Sequence, residues 1–165
     1  MVETRPIGVL FLCTGNSARS ILAEAALARL GGDRFGSHSA GSEPKAAPHP
    51  RTLETLEARG YETGAFRSKS WDVFAADDAP PIDVVITVCG NAANETCPAW
   101  PGAPIAAHWG VEDPAAFEGT EAETLDFFAA IHDELAAKIE AFVELDFETI
   151  PREELIEHLR AIADV

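Results

Sequence analysis

The chain has 165 residues, 47% of them apolar, and a formal net charge of −16; that length suits one domain burying roughly two thirds of its unfolded surface. The acidic balance excludes nucleic acid as an expected partner, because no basic patch is present to meet phosphates. No apolar run approaches the length of a membrane span, no signal peptide is visible, and an odd number of cysteines, three, makes no disulfide framework, so a reducing cytoplasmic setting is expected.

Residues 1–6 read as a frayed start. Ile7 to Leu12 is a continuous apolar run that predicts a short buried strand. Residues 17–30 predict a helix that stops at Gly31-Gly32. A short strand over 35–40 leads into Gly41-Ser42-Glu43-Pro44, a glycine and proline loop. Pro50 to Arg59 reads as a second helix with Pro50 in its first turn and Gly60 beyond its end. Residues 61–81 are mixed, with a helical turn expected near 68–74. Ile82 to Val88 is the clearest strand, β-branched and almost wholly apolar as a central parallel strand should be. A long loop over 90–104 and a weak strand over 105–109 follow. Apolar positions at Leu125, Phe128, Ile131, Leu135, Ile139 and Phe142 predict one long amphipathic helix within 120–145. Ile150-Pro151 interrupts the pattern, and 152–163 forms a last acidic helix with one packed side. His49, His132 and His158 read as surface or helix-face residues. The alternation of strands and helices predicts an α/β fold with a parallel sheet and helices on both faces. One domain is expected over 1–165, with 146–165 as a C-terminal helical extension.

The stretch Cys13-Thr14-Gly15-Asn16-Ser17-Ala18-Arg19-Ser20 lies between the first strand and the first helix. Such a junction is an anion site, because unpaired backbone N–H groups and the positive end of the helix dipole meet there. A cysteine at a helix N-terminus beside an arginine is favoured as thiolate. The guanidinium fork can hold two oxygens of a tetrahedral oxyanion while the thiolate faces its central atom. This pattern points to nucleophilic attack by Cys13 on a phosphate-like substrate.

Cys89 ends the clearest strand, so it falls on the same carboxyl rim as Cys13, where open α/β sheets bind ligands. Cys97 follows in a loop rich in turn-formers that could bring it near Cys89. A phosphatase needs neither thiol, whereas a reductase must let two electrons leave as a disulfide. Equally, Cys89 could be a buried strand-end cysteine and Cys97 an inert loop thiol. Asp113, in Asp113-Pro114, is a carboxylate placed to protonate a leaving oxygen, or simply a turn-initiating Asp-Pro. Cys89, Cys97 and His108 lack the close-pair spacing of a zinc site.

Taken together, residues 13–20, Ser39-Ala40-Gly41, the strand ending at Cys89, Cys97-Pro98, and His108-Trp109-Gly110 with Asp113-Pro114 resemble arsenate reductases built on the low-molecular-weight protein tyrosine phosphatase fold. The resemblance runs from about residue 7 to residue 143. It implies a four-stranded parallel sheet flanked by helices and a monomeric enzyme of arsenic detoxification. It further implies that Cys13 attacks arsenate held by Arg19 and by the loop residues Thr14, Gly15, Asn16, Ser17 and Ala18, with Asp113 helping the oxygen leave and Ser20 hydrogen-bonding the thiolate. Cys89 would then attack Cys13 to release arsenite, and Cys97 would attack Cys89 to leave a disulfide for thioredoxin to reduce. Asn16, Glu24, Ser39 and Asp72 match positions that bind a potassium ion in some members; no tightly bound cofactor is implied. The gap between Cys89 and Cys97 holds seven residues, one more than in the best-known thioredoxin-coupled members, so glutathione with glutaredoxin, or mycothiol, stands as an alternative reductant. A low-molecular-weight phosphatase, or a non-catalytic oxyanion-binding redox regulator, would use the same loop. The phosphatase would be expected to carry an aromatic residue beside the acid loop, where Ala115 and Ala116 follow Pro114 and Phe117 lies beyond.

Overall fold

The computed structural model describes residues 5–88 and 104–165; Cys89 and Cys97 lie outside the described residues. Four strands, β1 (Ile7–Cys13), β2 (Phe35–Gly41), β3 (Val84–Thr87) and β4 (Ile105–His108), form one parallel sheet in the order β2-β1-β3-β4. The helices are α1 (Arg19–Gly31), α2 (Pro50–Ala58), α3 (Glu121–Val143) and α4 (Arg152–Ile162). Three 3₁₀ turns, Gly32–Arg34, Trp71–Phe74 and Pro114–Ala116, complete the described elements.

Strand β1 is central and apolar on both faces, and its alternate residues feed two cores. Val9, Phe11 and Cys13 pack with α1, α2, α3 and α4 through Ile21, Leu22, Leu56, Ile131, Leu135 and Leu159. Leu10 and Leu12 point the other way, into a smaller cluster with Ala40, Phe74, Ile82 and Val85. Each fully buried leucine or phenylalanine here stabilises the fold by about 1.5–3 kcal/mol. Strand β3 is shorter than the apolar run predicts, because the chain at its two ends bonds singly to β1, through Asp83 N to Gly8 O at 2.8 Å and Val88 N to Leu12 O at 2.9 Å.

Helix α2 starts as its proline predicts, and His49 caps it by accepting from Arg51 N at 3.1 Å. Helix α3 opens with a reciprocal capping box between Thr120 and Glu123. His132, expected at the surface or on a helix face, lies on the packed face of α3. It is 6% exposed, with its ring between the Tyr61 hydroxyl and the Asp133 carboxylate, each at 3.1 Å. Burial lowers its pKa below the ordinary histidine value.

The acidic C-terminal helix has the packed side expected of it, formed by Leu155, Leu159 and Ile162. Trp109, fully buried after β4, donates its indole N–H to Leu159 O at 2.9 Å and lies against Phe11 and Phe142. Lys138, 2% exposed on the apolar side of α3, donates to the carbonyls of Ala163 and Val165, both at 2.9 Å. These two bonds satisfy carbonyls just past the end of α4, where helices leave them unpaired.

Candidate active site

The loop between β1 and α1 is held from outside by its carbonyl groups. Thr14 O accepts from Glu43 N, Gly15 O from Lys45 N, and Ser17 O from His49 N, each at 2.9 Å. Thr52 Oγ1 also donates to Ser17 O at 2.8 Å, and Ser68 Oγ donates to Asn16 O at 2.6 Å. In a trans peptide the N–H lies opposite the preceding carbonyl. The amides of Gly15, Asn16, Ser17 and Ala18 therefore turn away from these anchors, into the hollow of the loop. Gly41, at the end of β2, underlies it. A methyl group at Gly41 would collide with the carbonyl oxygens of Cys13 and Thr14, so only glycine lets β2 pass so close.

Asn16 is the keystone of the loop. It is fully buried and is the single non-glycine residue with positive φ among the described residues, at 45°. Every polar atom of its side chain is used. Oδ1 accepts from Lys69 N at 2.9 Å, and Nδ2 donates to Ser20 Oγ at 2.8 Å and to Ser39 Oγ at 3.0 Å. Ser39 Oγ in turn donates to Glu24 Oε1. Ser20 Oγ lies 3.0 Å from Cys13 Sγ, with both groups buried. Because Asn16 occupies a lone pair of Ser20, the Ser20 proton is available to the Cys13 sulfur.

Arg19 and Asp113 meet at the opening of the loop. Arg19 donates to Val111 O at 3.2 Å and approaches Asp113 Oδ2 to 3.6 Å. The arginine side chain is 17% exposed and the aspartate 41%, so the carboxylate sits at the wet rim and the guanidinium further in. Asp113 Oδ1 accepts from Ala115 N at 3.0 Å, which fixes the carboxylate as the cap of the Pro114–Ala116 turn. The turn-initiating role and a place beside the site are thus both present. Phe117 does not line the opening as a free aromatic wall; its ring stacks on Phe127 of α3, with centroids 4.8 Å apart and planes 9° from parallel.

Of the residues singled out from sequence, the structure gathers Cys13, Thr14, Gly15, Asn16, Ser17, Ala18, Arg19 and Ser20 in one loop, with Asp113 at its mouth and Glu24 and Ser39 behind it. Asp72 is exposed, and its own N–H donates to Ser70 Oγ at 3.2 Å. His108 accepts or donates to Thr87 Oγ1 at 2.7 Å on the sheet edge. Sequence reading missed Lys69. Its Nζ donates to Ser39 O and Arg67 O, both at 3.0 Å. No local pattern announces it; the one trace is that it stands between two serines. Among the described residues no cluster of three or more histidine, cysteine, aspartate or glutamate side chains could hold a metal ion. Nor is any described helix long and apolar enough to cross a membrane.

Comparison with known proteins bears on this loop directly. The family model described as low molecular weight phosphotyrosine protein phosphatase matches residues 8–155. An arsenate reductase of Bacillus licheniformis is 38% identical over 136 residues, 82% of this chain and 94% of that protein. One from Bacillus subtilis is 35% identical over the same shares. Among solved structures, a thioredoxin-dependent arsenate reductase of Corynebacterium glutamicum is 31% identical with a TM-score of 0.57, covering 84% of this chain and 64% of that one. An arsenate reductase in an oxidized state is 29% identical with a TM-score of 0.67, covering 82% and 95%. A tyrosine phosphatase of Escherichia coli solved with sulphate, 18% identical at a TM-score of 0.66 over 83% and 96%, shares the fold.

Proposed function

The chain belongs to the low molecular weight phosphotyrosine protein phosphatase family, and on that premise we propose that it is a cytoplasmic arsenate reductase that uses Cys13 as its nucleophile. The observation that carries reduction over dephosphorylation is the presence of two further thiols, Cys89 and Cys97, in a chain whose relatives at 35% and 38% identity are arsenate reductases.

Arsenate enters the hollow of the loop with its oxygens on the amides of Gly15 to Ala18 and on the Arg19 fork. These donors are pre-oriented by the anchored carbonyls, so they need no rearrangement as charge shifts during attack. Ser20 donates to the Cys13 sulfur and stabilises its anionic form. The thiolate forms an S–As bond, and one As–O bond breaks as the departing hydroxyl takes up a proton delivered from solvent by way of Asp113 and leaves as water. Cys89 then attacks Cys13 Sγ. A Cys13–Cys89 bond forms, and the electron pair of the S–As bond stays with arsenic, which leaves as arsenite. Cys97 attacks Cys89 Sγ, freeing the Cys13 thiolate and leaving a Cys89–Cys97 disulfide. A dithiol protein of the thioredoxin type reduces that disulfide.

The test is a thiol count. Fully reduced protein is mixed with one equivalent of arsenate and no reductant, and disulfides are mapped by peptide mass. Loss of two thiols with a Cys89–Cys97 bridge and one equivalent of arsenite is expected. A Cys13–Cys89 bridge with Cys97 free would keep the reductase and move the reductant to a small thiol such as glutathione or mycothiol. Three free thiols and no arsenite, with or without added glutathione or mycothiol, would overturn the relay and leave the phosphatase.

A further inference from the structure

Three of the four residues that match a potassium site are not arranged to share a cation in this chain, and the fourth, Glu24, has its carboxylate on the Ser39 hydroxyl and near the Lys69 charge. Asn16 Oδ1 is taken by Lys69 N, the Asn16 amide nitrogen is turned toward Ser39 and Ser20, and the Asp72 side chain is exposed. The main-chain oxygen of Ser39 is taken as well, by Lys69 Nζ. An ammonium group has the charge of potassium and a similar size, and it binds carbonyl oxygens in the same way. We propose that Lys69 is the built-in cation of this site: its ammonium group replaces a bound monovalent metal behind the oxyanion loop by drawing together the Ser39 and Arg67 carbonyls, which keeps the Lys69 main-chain N–H on Asn16 and so, through Asn16 and Ser20, positions the Cys13 sulfur.

The path is continuous and short. The Lys69 side chain is pinned by the carbonyls of Ser39 and Arg67, while its main-chain N–H holds Asn16 Oδ1. The segment on either side is fixed to the same loop and strand. Ser68 Oγ donates to Asn16 O, Gly41 N donates to Lys69 O at 2.9 Å, and Gly41 pairs with Ser70 as an isolated parallel bridge. The Oδ1 end of the Asn16 side chain thus depends on this segment, and its Nδ2 end meets Ser39, whose carbonyl holds the Lys69 ammonium. The Asn16 side chain orders the Ser39 and Ser20 hydroxyls, and Ser20 faces the thiol. The charge has a second use. Glu24 is half-buried behind the loop, and desolvation raises its carboxyl pKa above the ordinary value, while the Ser39 hydroxyl and the nearby Lys69 charge work against that rise. Burial likewise lowers the Lys69 pKa, opposed by Glu24. Each charge thus partly offsets the cost to the other of leaving water. Lys69 touches neither substrate nor sulfur and is a positioning residue.

The inference rests on the oxyanion-loop reading above, and its test separates the two. Lys69→Ala opens space for an external cation, and Lys69→Met fills the stem without charge. Thermal unfolding, the rate of Cys13 alkylation by iodoacetamide, and arsenate kcat and KM are measured in potassium chloride and in tetramethylammonium chloride at equal ionic strength. Wild type should show the same melting temperature and rates in both salts. Lys69→Ala should lose about tenfold in Cys13 alkylation and in kcat, the scale of one charge-assisted hydrogen bond, with KM little changed. Potassium should restore most of the loss and tetramethylammonium none, while Lys69→Met should not be rescued. A wild type stabilised or accelerated by potassium would overturn the proposal. So would a Lys69→Ala protein equal to wild type, or one that is slow and indifferent to potassium. Should wild type reduce no arsenate, the salt response of Cys13 alkylation and of melting still decides the role of Lys69.

Discussion

Replacing Ser20 with alanine isolates the contact on which the reactivity of Cys13 depends. In the native protein Ser20 Oγ is buried, 3.0 Å from Cys13 Sγ and 2.8 Å from Asn16 Nδ2. The Asn16 bond consumes a lone pair and frees the hydroxyl proton for sulfur, so the bond favours the thiolate over the thiol. A hydrogen bond to a charged group contributes about 1.5–3 kcal/mol, which raises the titration midpoint of Cys13 by roughly one to two pH units when it is lost. The sign is unambiguous, because the group removed stabilises the charged form. Alkylation of Cys13 by iodoacetamide is followed against pH, with the labelled peptide identified by mass so that Cys89 and Cys97 do not contribute. Below the midpoint the rate should fall by roughly tenfold or more. Asn16 Nδ2 keeps Ser39 as a partner, so the protein should remain folded, which its melting temperature verifies. A folded Ser20→Ala protein with an unshifted midpoint would refute the assignment of the Ser20 proton to sulfur.

Two further outcomes follow from groups away from the loop. Hydrogen bonds from Arg5, joined by Gly8 N, hold the Asp83 carboxyl below the usual carboxylate range. Its contribution to stability is therefore present above the ordinary carboxylate pKa and is lost as pH falls through the lowered value. Melting temperature should fall less steeply in Asp83→Asn than in wild type between about pH 5 and pH 3; parallel curves would exclude the pair as a source of acid lability. Lys138→Met removes the two donors to the carbonyls of Ala163 and Val165 while keeping the buried stem. It should cost about 1–3 kcal/mol in urea unfolding and raise amide exchange selectively in 152–165; unchanged exchange there would show that the apolar side of α4 suffices.

Much of the fold was legible because its signals are local. An apolar run of six, a loop of small residues and an alanine-rich helix lie within twenty-five residues of one another, and strand, anion loop and helix form where that spelling predicts. Ser20 lies against Cys13 because the two are seven residues apart at one strand–helix junction, whereas Asp113, which follows β4 beyond β3, reaches Arg19 only through the order of the sheet. Lys138 could have been found as well. It stands three residues after Leu135 and four before Phe142, on the apolar side of α3, and a lysine there needs buried acceptors. That His132 sits on the packed rather than the open face of its helix is not legible locally, because its partner Tyr61 lies 71 residues away.

What the sequence by itself determined was the period of each element and the chemistry of one loop, because strand alternation, helical spacing and turn residues act over a few positions. Which distant groups complete that loop is settled by the closed fold alone. Ser68 and Lys69 reach Asn16 across 52 and 53 residues, and Trp109 reaches Leu159 across 50. Such pairings follow from register, here the passage of Ser70 beside Gly41 at the end of β2. A lysine that seats its ammonium on two carbonyls carries no sequence pattern of its own. Its role exists only once the chain has closed around it.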